Sequence, residues 1–118
     1  RRDSAARLTE QAKAYIEEHY KESDLSADSL CRCLNVSAAY FSTIFKREVG
    51  MSFVAYLTKI RLEHALELLR TTEDKTYIIA SRVGYMEPNY FSYVFKKQYG
   101  ISPSKYRAEM SVKEKNED

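Results

Sequence analysis

Apolar residues recur at spacings of three and four along most of this chain, which indicates amphipathic α-helices. The first such stretch covers residues 8–20 and places Ala12 and Ile16 on one face. A longer stretch, residues 52–69, is apolar over a broad part of its surface and is predicted to join the two halves of the chain. Only three glycines and two prolines interrupt the pattern, which favours a helical fold over a many-stranded one.

One phrase occurs twice, fifty positions apart. Residues 40–50 read YFSTIFKREVG and residues 90–100 read YFSYVFKKQYG, with six of the eleven positions identical. A short apolar stretch precedes each copy. Asn35 in the first half and Gly84 in the second lie between this stretch and the copy, as expected for a tight turn that needs a left-handed residue. Each half therefore predicts a helix-turn-helix unit, with the repeated phrase as its second helix.

The predicted architecture is all-α, with seven helices arranged as two helix-turn-helix units joined by a long central helix. The first unit covers about residues 26–50, the central helix about 52–70 and the second unit about 76–100. Residues 1–7 are predicted to be the end of a linker, residues 8–110 the domain, and residues 111–118 a disordered tail. Ser26 is predicted to cap its helix without a capping box, because its partner three residues on is Ser29 rather than Glu.

The two faces of each repeated helix carry different chemistry when residues are placed about 100° apart. One face is predicted to be buried and consists of Phe41, Ile44 and Phe45 in the first copy and Phe91, Val94 and Phe95 in the second. The opposite face is predicted to point outward and consists of Ala39, Ser42, Thr43 and Lys46 in the first copy and Asn89, Ser92, Tyr93 and Lys96 in the second.

The outward positions match the chemistry of a major-groove surface. Base edges in the major groove are read by short polar, hydrogen-bonding or methyl-bearing side chains, and lysine and arginine suit phosphates. The copies agree at the buried aromatic positions. They differ on the outward face, where Ala39 in the first copy corresponds to Asn89 in the second and Thr43 corresponds to Tyr93. Two units with one scaffold and different base preferences would differ in this way, although free drift of solvent-exposed positions explains the same pattern.

Charge is unevenly distributed along the chain. Residues 29–107 contain 12 basic and 6 acidic residues, whereas the flanks contain 7 basic and 11 acidic residues. The repeated region is therefore the basic part of a chain whose net charge is only +2. This distribution fits a polyanionic partner such as duplex DNA, while a solvated helix surface is the alternative explanation.

The second half closely resembles the signature of AraC/XylS-type bacterial transcription regulators. The resemblance lies in residues 79–85, IASRVGY, residues 89–97, NYFSYVFKK, and residues 100–107, GISPSKYR. The first half and the middle stretch RLEHALELL match too, so that residues 8–110 are covered. The resemblance implies seven helices that place two recognition helices in successive major-groove segments of DNA.

Carried over residue by residue, the resemblance also implies which side chains contact DNA. The implied base-reading residues are Ala39, Ser42, Thr43, Pro88, Asn89, Ser92 and Tyr93, with Lys46 beside them. The expected phosphate contacts are Lys46, Arg47, Lys96 and Lys97. Many family members have longer polar or basic side chains at the positions of Thr43 and Tyr93, so base preference is expected to differ here.

The lead-in at residues 16–25 resembles family members in which the DNA-binding domain follows a sensing or receiver domain. We therefore expect a fragment of a longer regulator. A response regulator is the commonest arrangement, and a membrane-anchored sensor or a ligand-binding cupin-like domain are the alternatives. RNA polymerase is a further expected partner, and the fragment alone is expected to be a monomer because it has no obvious dimerisation stripe.

Other classes of function find little support in the sequence. No paired carboxylates, Ser/His/Asp set or glycine-rich phosphate loop indicates an enzyme, and no cofactor is expected. Cys31 and Cys33 point about 200° apart on a helix, which predicts reduced thiols in a cytosolic protein rather than a disulfide or metal site. A helical protein-interaction adaptor without DNA binding is the remaining alternative.

Overall fold

The structure, a computed structural model, describes residues 2–117, with side chains described for residues 3–116. This part of the chain contains seven helices and no strand, which confirms the all-α prediction. The helices are α1 (Arg2–His19), α2 (Ala27–Leu34), α3 (Ala38–Val49), α4 (Phe53–Thr71), α5 (Thr76–Arg82), α6 (Pro88–Tyr99) and α7 (Pro103–Glu117). Two compact units meet in sequence between Ile60 and Arg61, within α4, and each unit contains one helix-turn-helix.

Serine hydroxyl groups begin several helices by accepting a backbone N–H bond from three residues ahead. Ser37 accepts from Tyr40 at 3.2 Å, and Ser52 and Ser102 do the same for α4 and α7 at 3.1 Å. Ser26 forms a full capping box, so the prediction of a cap without one is wrong. The Ser29 hydroxyl accepts the Ser26 N–H at 3.0 Å, so a short hydroxyl can replace the usual longer Glu side chain here.

Both ends of the chain differ from the sequence prediction. Residues 2–7 belong to α1 rather than to a linker, because Ala5 is buried and its carbonyl accepts a 2.8 Å hydrogen bond from the buried Thr9 hydroxyl. Residues 111–117 extend α7 rather than forming a disordered tail. No glycine or proline interrupts them, and their lysines and glutamates favour a helix. Arg1 and Asp118, which the prediction also covered, lie outside the described residues.

The core of the first unit contains the buried face of α3. Phe41 and Phe45 are fully buried, with ring centroids 5.2 Å apart. Phe53 meets the Phe41 ring edge-on at 6.2 Å, and Tyr56 meets the Phe45 ring at 5.5 Å. These rings attach α3 to the first half of α4 and fix the rotation of α3 about its own axis.

The core of the second unit repeats this arrangement around α6. Phe91 and Phe95 are fully buried, with ring centroids 5.9 Å apart, and Tyr106 of α7 meets Phe95 edge-on at 6.0 Å. Val94 is half-buried rather than buried as predicted, whereas its counterpart Ile44 is buried. Valine is one methylene shorter than isoleucine and lies at the margin of the apolar face.

Arg107 of α7 holds the segment between α4 and α5, which leads into the second helix-turn-helix. Its guanidinium donates to three backbone carbonyls: Nε to Leu69 at 3.0 Å, Nη2 to Thr72 at 3.1 Å and Nη1 to Asp74 at 2.6 Å. The carbonyls at a helix C-terminus lack partners within the helix, and a charged donor stabilises them. The Asp74 carboxylate in turn accepts a 2.6 Å bond from Arg82 at the end of α5.

Arg107→Lys tests this three-point contact while keeping the positive charge. A lysine cannot donate in three directions within one plane, so we expect the free energy of unfolding to fall by about 2 kcal/mol. Backbone amides of residues 72–79 should also exchange faster with solvent.

Arg70→Lys is the matched control, because Arg70 pairs with an exposed carboxylate, that of Glu67. We expect a change within about 0.5 kcal/mol for this variant. Equal stability losses in the two variants, measured by urea titration, would contradict the proposed contribution of Arg107.

Candidate nucleic-acid interface

The first recognition helix, α3, is held by its phenylalanines and presents its other side to solvent. All five residues predicted to contact DNA on this helix are exposed: Ala39, Ser42, Thr43, Lys46 and Arg47. The first three are small, so the backbone of α3 can come close to a partner surface. Arg47 also forms an exposed 3.3 Å pair with the neighbouring Glu48, a contact weak enough in water to be exchanged for a phosphate.

The second recognition helix, α6, presents a larger and more aromatic surface. Pro88, Asn89, Tyr93, Lys96 and Lys97 are exposed, in agreement with their predicted outward positions. Ser92 is half-buried, unlike Ser42 in the first copy, so the expectation that it lies fully outward is wrong. Both serines lie about 100° from a fully buried phenylalanine, so position along the helix does not set the difference and only the structure shows it. Which of these side chains contact DNA remains a prediction.

The turns that set the recognition helices are equivalent in the two units. Val36 donates to the Cys31 carbonyl at 3.0 Å, and Tyr85 donates to the Ala80 carbonyl at 2.8 Å. The residue before each donor has a positive φ, 57° at Asn35 and 106° at Gly84. These hydrogen bonds form a Schellman motif, which ends the first helix of each unit and turns the chain toward the recognition helix.

The recognition helices begin differently but end alike. Ser37 caps α3 through its side chain, whereas α6 has no side-chain cap and begins with Pro88. Proline suits this first position because its missing N–H would have no partner within the helix. Gly50 and Gly100 end the two helices with φ of 86° and 83°. The last turn of each helix carries a basic pair, whose positive charges are stabilised by the negative end of the helix dipole. These two cations lie at one end of the outward face.

A buried arginine supports the second recognition helix, and its role was not predicted from the sequence. Arg61 is 8% exposed and its guanidinium carbon lies 5.3 Å from the centre of the Tyr85 ring. Burial lowers the pKa of this guanidinium, and Tyr85 opposes that shift. The available signal was an arginine between Ile60 and Leu62, two buried residues of an apolar helix, because a charge at such a position needs a specific partner.

The described residues offer little for other chemistry. Among them no three His, Cys, Asp or Glu side chains are grouped to hold a metal ion. Cys31 is buried and Cys33 is exposed, and both are free thiols. Within residues 2–117 no helix has the length and apolarity needed to cross a membrane. A shallow depression of about 510 Å³ lies against Ser42, Thr43, Lys46 and Arg47, on the outward face of α3.

Comparisons with known proteins agree with this arrangement. A family model described as a helix-turn-helix domain matches residues 30–109. The helix-turn-helix-type transcriptional regulator YisR of Bacillus subtilis is 37% identical over 107 residues, which are 91% of this chain and 37% of YisR. The chain thus spans little more than a third of that regulator.

Two solved structures share the fold. The C-terminal domain of AraT, a response regulator from Geobacillus stearothermophilus, matches with a TM-score of 0.85 and 47% identity, over 86% of this chain and 84% of that one. The DNA-binding domain of AdpA, a global transcriptional factor solved in complex with a target DNA, matches with a TM-score of 0.84 and 26% identity, over 89% of this chain and 94% of that one.

The sequence motifs, the seven helices with their two equivalent turns, and these matches all point to one family. The chain belongs to the AraC/XylS-type family of helix-turn-helix transcription regulators.

Proposed function

We propose that this chain binds double-stranded DNA in a sequence-specific manner, with α3 and α6 each entering the major groove. The observation that carries the proposal is the pair of equivalent helix-turn-helix units whose buried phenylalanines match and whose exposed residues differ. A shared scaffold fixes how each helix is presented, and the differing residues give each helix its own base preference. The AdpA domain, of the same fold, is bound to DNA in its solved structure.

The proposal divides the exposed residues into two roles. Base edges are read by Ala39, Ser42 and Thr43 on α3 and by Pro88, Asn89 and Tyr93 on α6, with Ser92 contributing from its half-buried position. Phosphates are bound by Lys46, Arg47, Lys96 and Lys97. Phosphate contacts supply affinity that depends on salt, whereas base contacts supply the preference for one sequence.

The chain is proposed to be the output domain of a longer regulator, of the response-regulator type represented by AraT. Its match to only 37% of YisR supports a further sensing or receiver domain in the full protein. In this arrangement the domain is a monomer by itself, works in the cytoplasm where bacterial DNA is found, and contacts RNA polymerase at a promoter. A role as an adaptor without DNA binding is the alternative outcome of the following tests.

Lys96→Ala tests the phosphate role. Loss of one phosphate contact should weaken binding to duplexes of every sequence and reduce the slope of log K against log salt by about 1. Fluorescence anisotropy with a random 25-base-pair duplex, titrated at several salt concentrations, measures both quantities.

Lys113→Ala is the control, because it removes the same charge from an exposed position of α7, outside the repeated helices. Its slope should equal that of the unmodified chain. An unchanged slope for Lys96→Ala would refute its phosphate role, and absence of duplex binding at low salt would favour an adaptor.

Asn89→Ala tests the base-reading role of α6. Asparagine can donate to and accept from one adenine edge, so we expect a loss of about 1–3 kcal/mol on a duplex selected by the chain from a random pool. The loss on random duplexes should be much smaller. Ser81→Ala, an exposed change on α5, should alter neither value, and equal losses on both duplexes for Asn89→Ala would show that this residue does not read bases.

A further inference from the structure

Four side chains of the second unit form a continuous row from its interior to its surface. Arg61 and Tyr85 are each 8% exposed, whereas Tyr90 and Tyr93 are 57% and 61% exposed. The Arg61 guanidinium lies 5.3 Å from the Tyr85 ring centre, the Tyr85 and Tyr90 centres are 6.0 Å apart, and the Tyr90 and Tyr93 rings stack at 6.4 Å. The row therefore ends in two stacked rings that solvent reaches.

The inner members of the row restrict where the outer rings can lie. Two tyrosines exposed to this extent gain little from burial, so their stacking must come from ring contacts and from the support beneath them. In the first unit the positions that correspond to Tyr85 and Tyr93 hold Val36 and Thr43, so the same row of rings cannot form there. The second recognition helix thus carries a preformed aromatic surface that the first one lacks.

The charges beside this surface indicate its partner. Lys96 and Lys97 are exposed on the next turn of α6, on the same outward side as Tyr93. Cations bordering an exposed aromatic surface favour a polyanion that also offers an apolar group. Duplex DNA offers one such group in the major groove, the C5-methyl of thymine.

We infer that Tyr93, supported by Tyr90, reads thymine methyl groups beneath α6 and so gives the second unit a preference for T·A pairs. This inference rests on the proposed DNA binding and adds a base preference to it. Arg61 and Tyr85 act as positioning residues, since they reach DNA only through the rings they support.

Replacing thymine with uracil tests the inference, because it removes the methyl group and leaves base pairing unchanged. Duplexes would be selected by the whole 118-residue chain from a random pool, and thymines beneath each recognition helix, located by footprinting, would be replaced one at a time. At least one replacement beneath α6 should weaken binding roughly fourfold, the value of one buried methyl group. Replacements outside the footprint should change binding less than twofold.

Two variants separate the tyrosine ring from its hydroxyl. Tyr93→Phe keeps the ring, so the fourfold difference in affinity between the thymine and uracil duplexes should remain. Tyr93→Ser should bind both duplexes equally. If Tyr93→Phe lost the difference as completely as Tyr93→Ser, the hydroxyl rather than the ring would make the contact, and the inference would be wrong.

The support of the row is tested by Tyr85→Leu, which should reduce the difference between thymine and uracil while leaving the salt slope unchanged. If that variant does not fold, Tyr90→Leu removes the support from the exposed side with the same expected result. Selected duplexes without thymine beneath α6, or a chain that ignores every uracil replacement, would overturn the inference but leave DNA binding intact. No duplex binding at all would contradict both proposals.

Discussion

Burial of two phenylalanines four residues apart is the constraint on which each unit depends. Residues at this spacing lie on one side of a helix, so placing both rings in the core fixes the rotation of the helix about its axis. Phe41 and Phe45 do this for α3, and Phe91 and Phe95 for α6. The residues on the opposite side must then face outward, whatever their chemistry. The outward face can therefore change between the two copies without any cost to the core.

The turn before each recognition helix supplies the second constraint. The two turns use different residues, asparagine and glycine, yet form the same hydrogen bonds at the end of the preceding helix. A left-handed residue is what the Schellman geometry requires, and both residue types accept that conformation more readily than most. Together the turn and the phenylalanine pair determine the angle and the rotation of the recognition helix within its unit.

The second unit adds contacts from arginine that the apolar pattern does not contain. Arg107 donates to three carbonyls around the segment between α4 and α5, and Arg61 lies beneath the Tyr85 ring. Their effect is to hold the start of the unit and the aromatic row on α6 in defined positions. The two units thus share their apolar framework but differ in how polar contacts reinforce it.

Periodicity, caps and the internal repeat were enough to predict the helices, the turns and the buried face of α3. These features are local, because they depend on which residues follow one another along the chain. The prediction was wrong where local signals were weak. Residues 2–7 have no strong apolar pattern, and only the packing of Ala5 shows that α1 begins before Leu8. The short Ser26–Ser29 capping box was also missed, because sequence rules expect a longer side chain there.

The sequence by itself determined the fold, the family and, apart from Ser92, the outward residues of both recognition helices. Only the tertiary structure decided that Ser92 is half-buried, that Arg107 contacts carbonyls 33 to 38 positions away, and that Tyr90 and Tyr93 continue a row beginning at Arg61. The physical reason is that a helical pattern specifies which face of a helix is apolar, whereas a directional contact between distant residues depends on how the helices of a unit pack together.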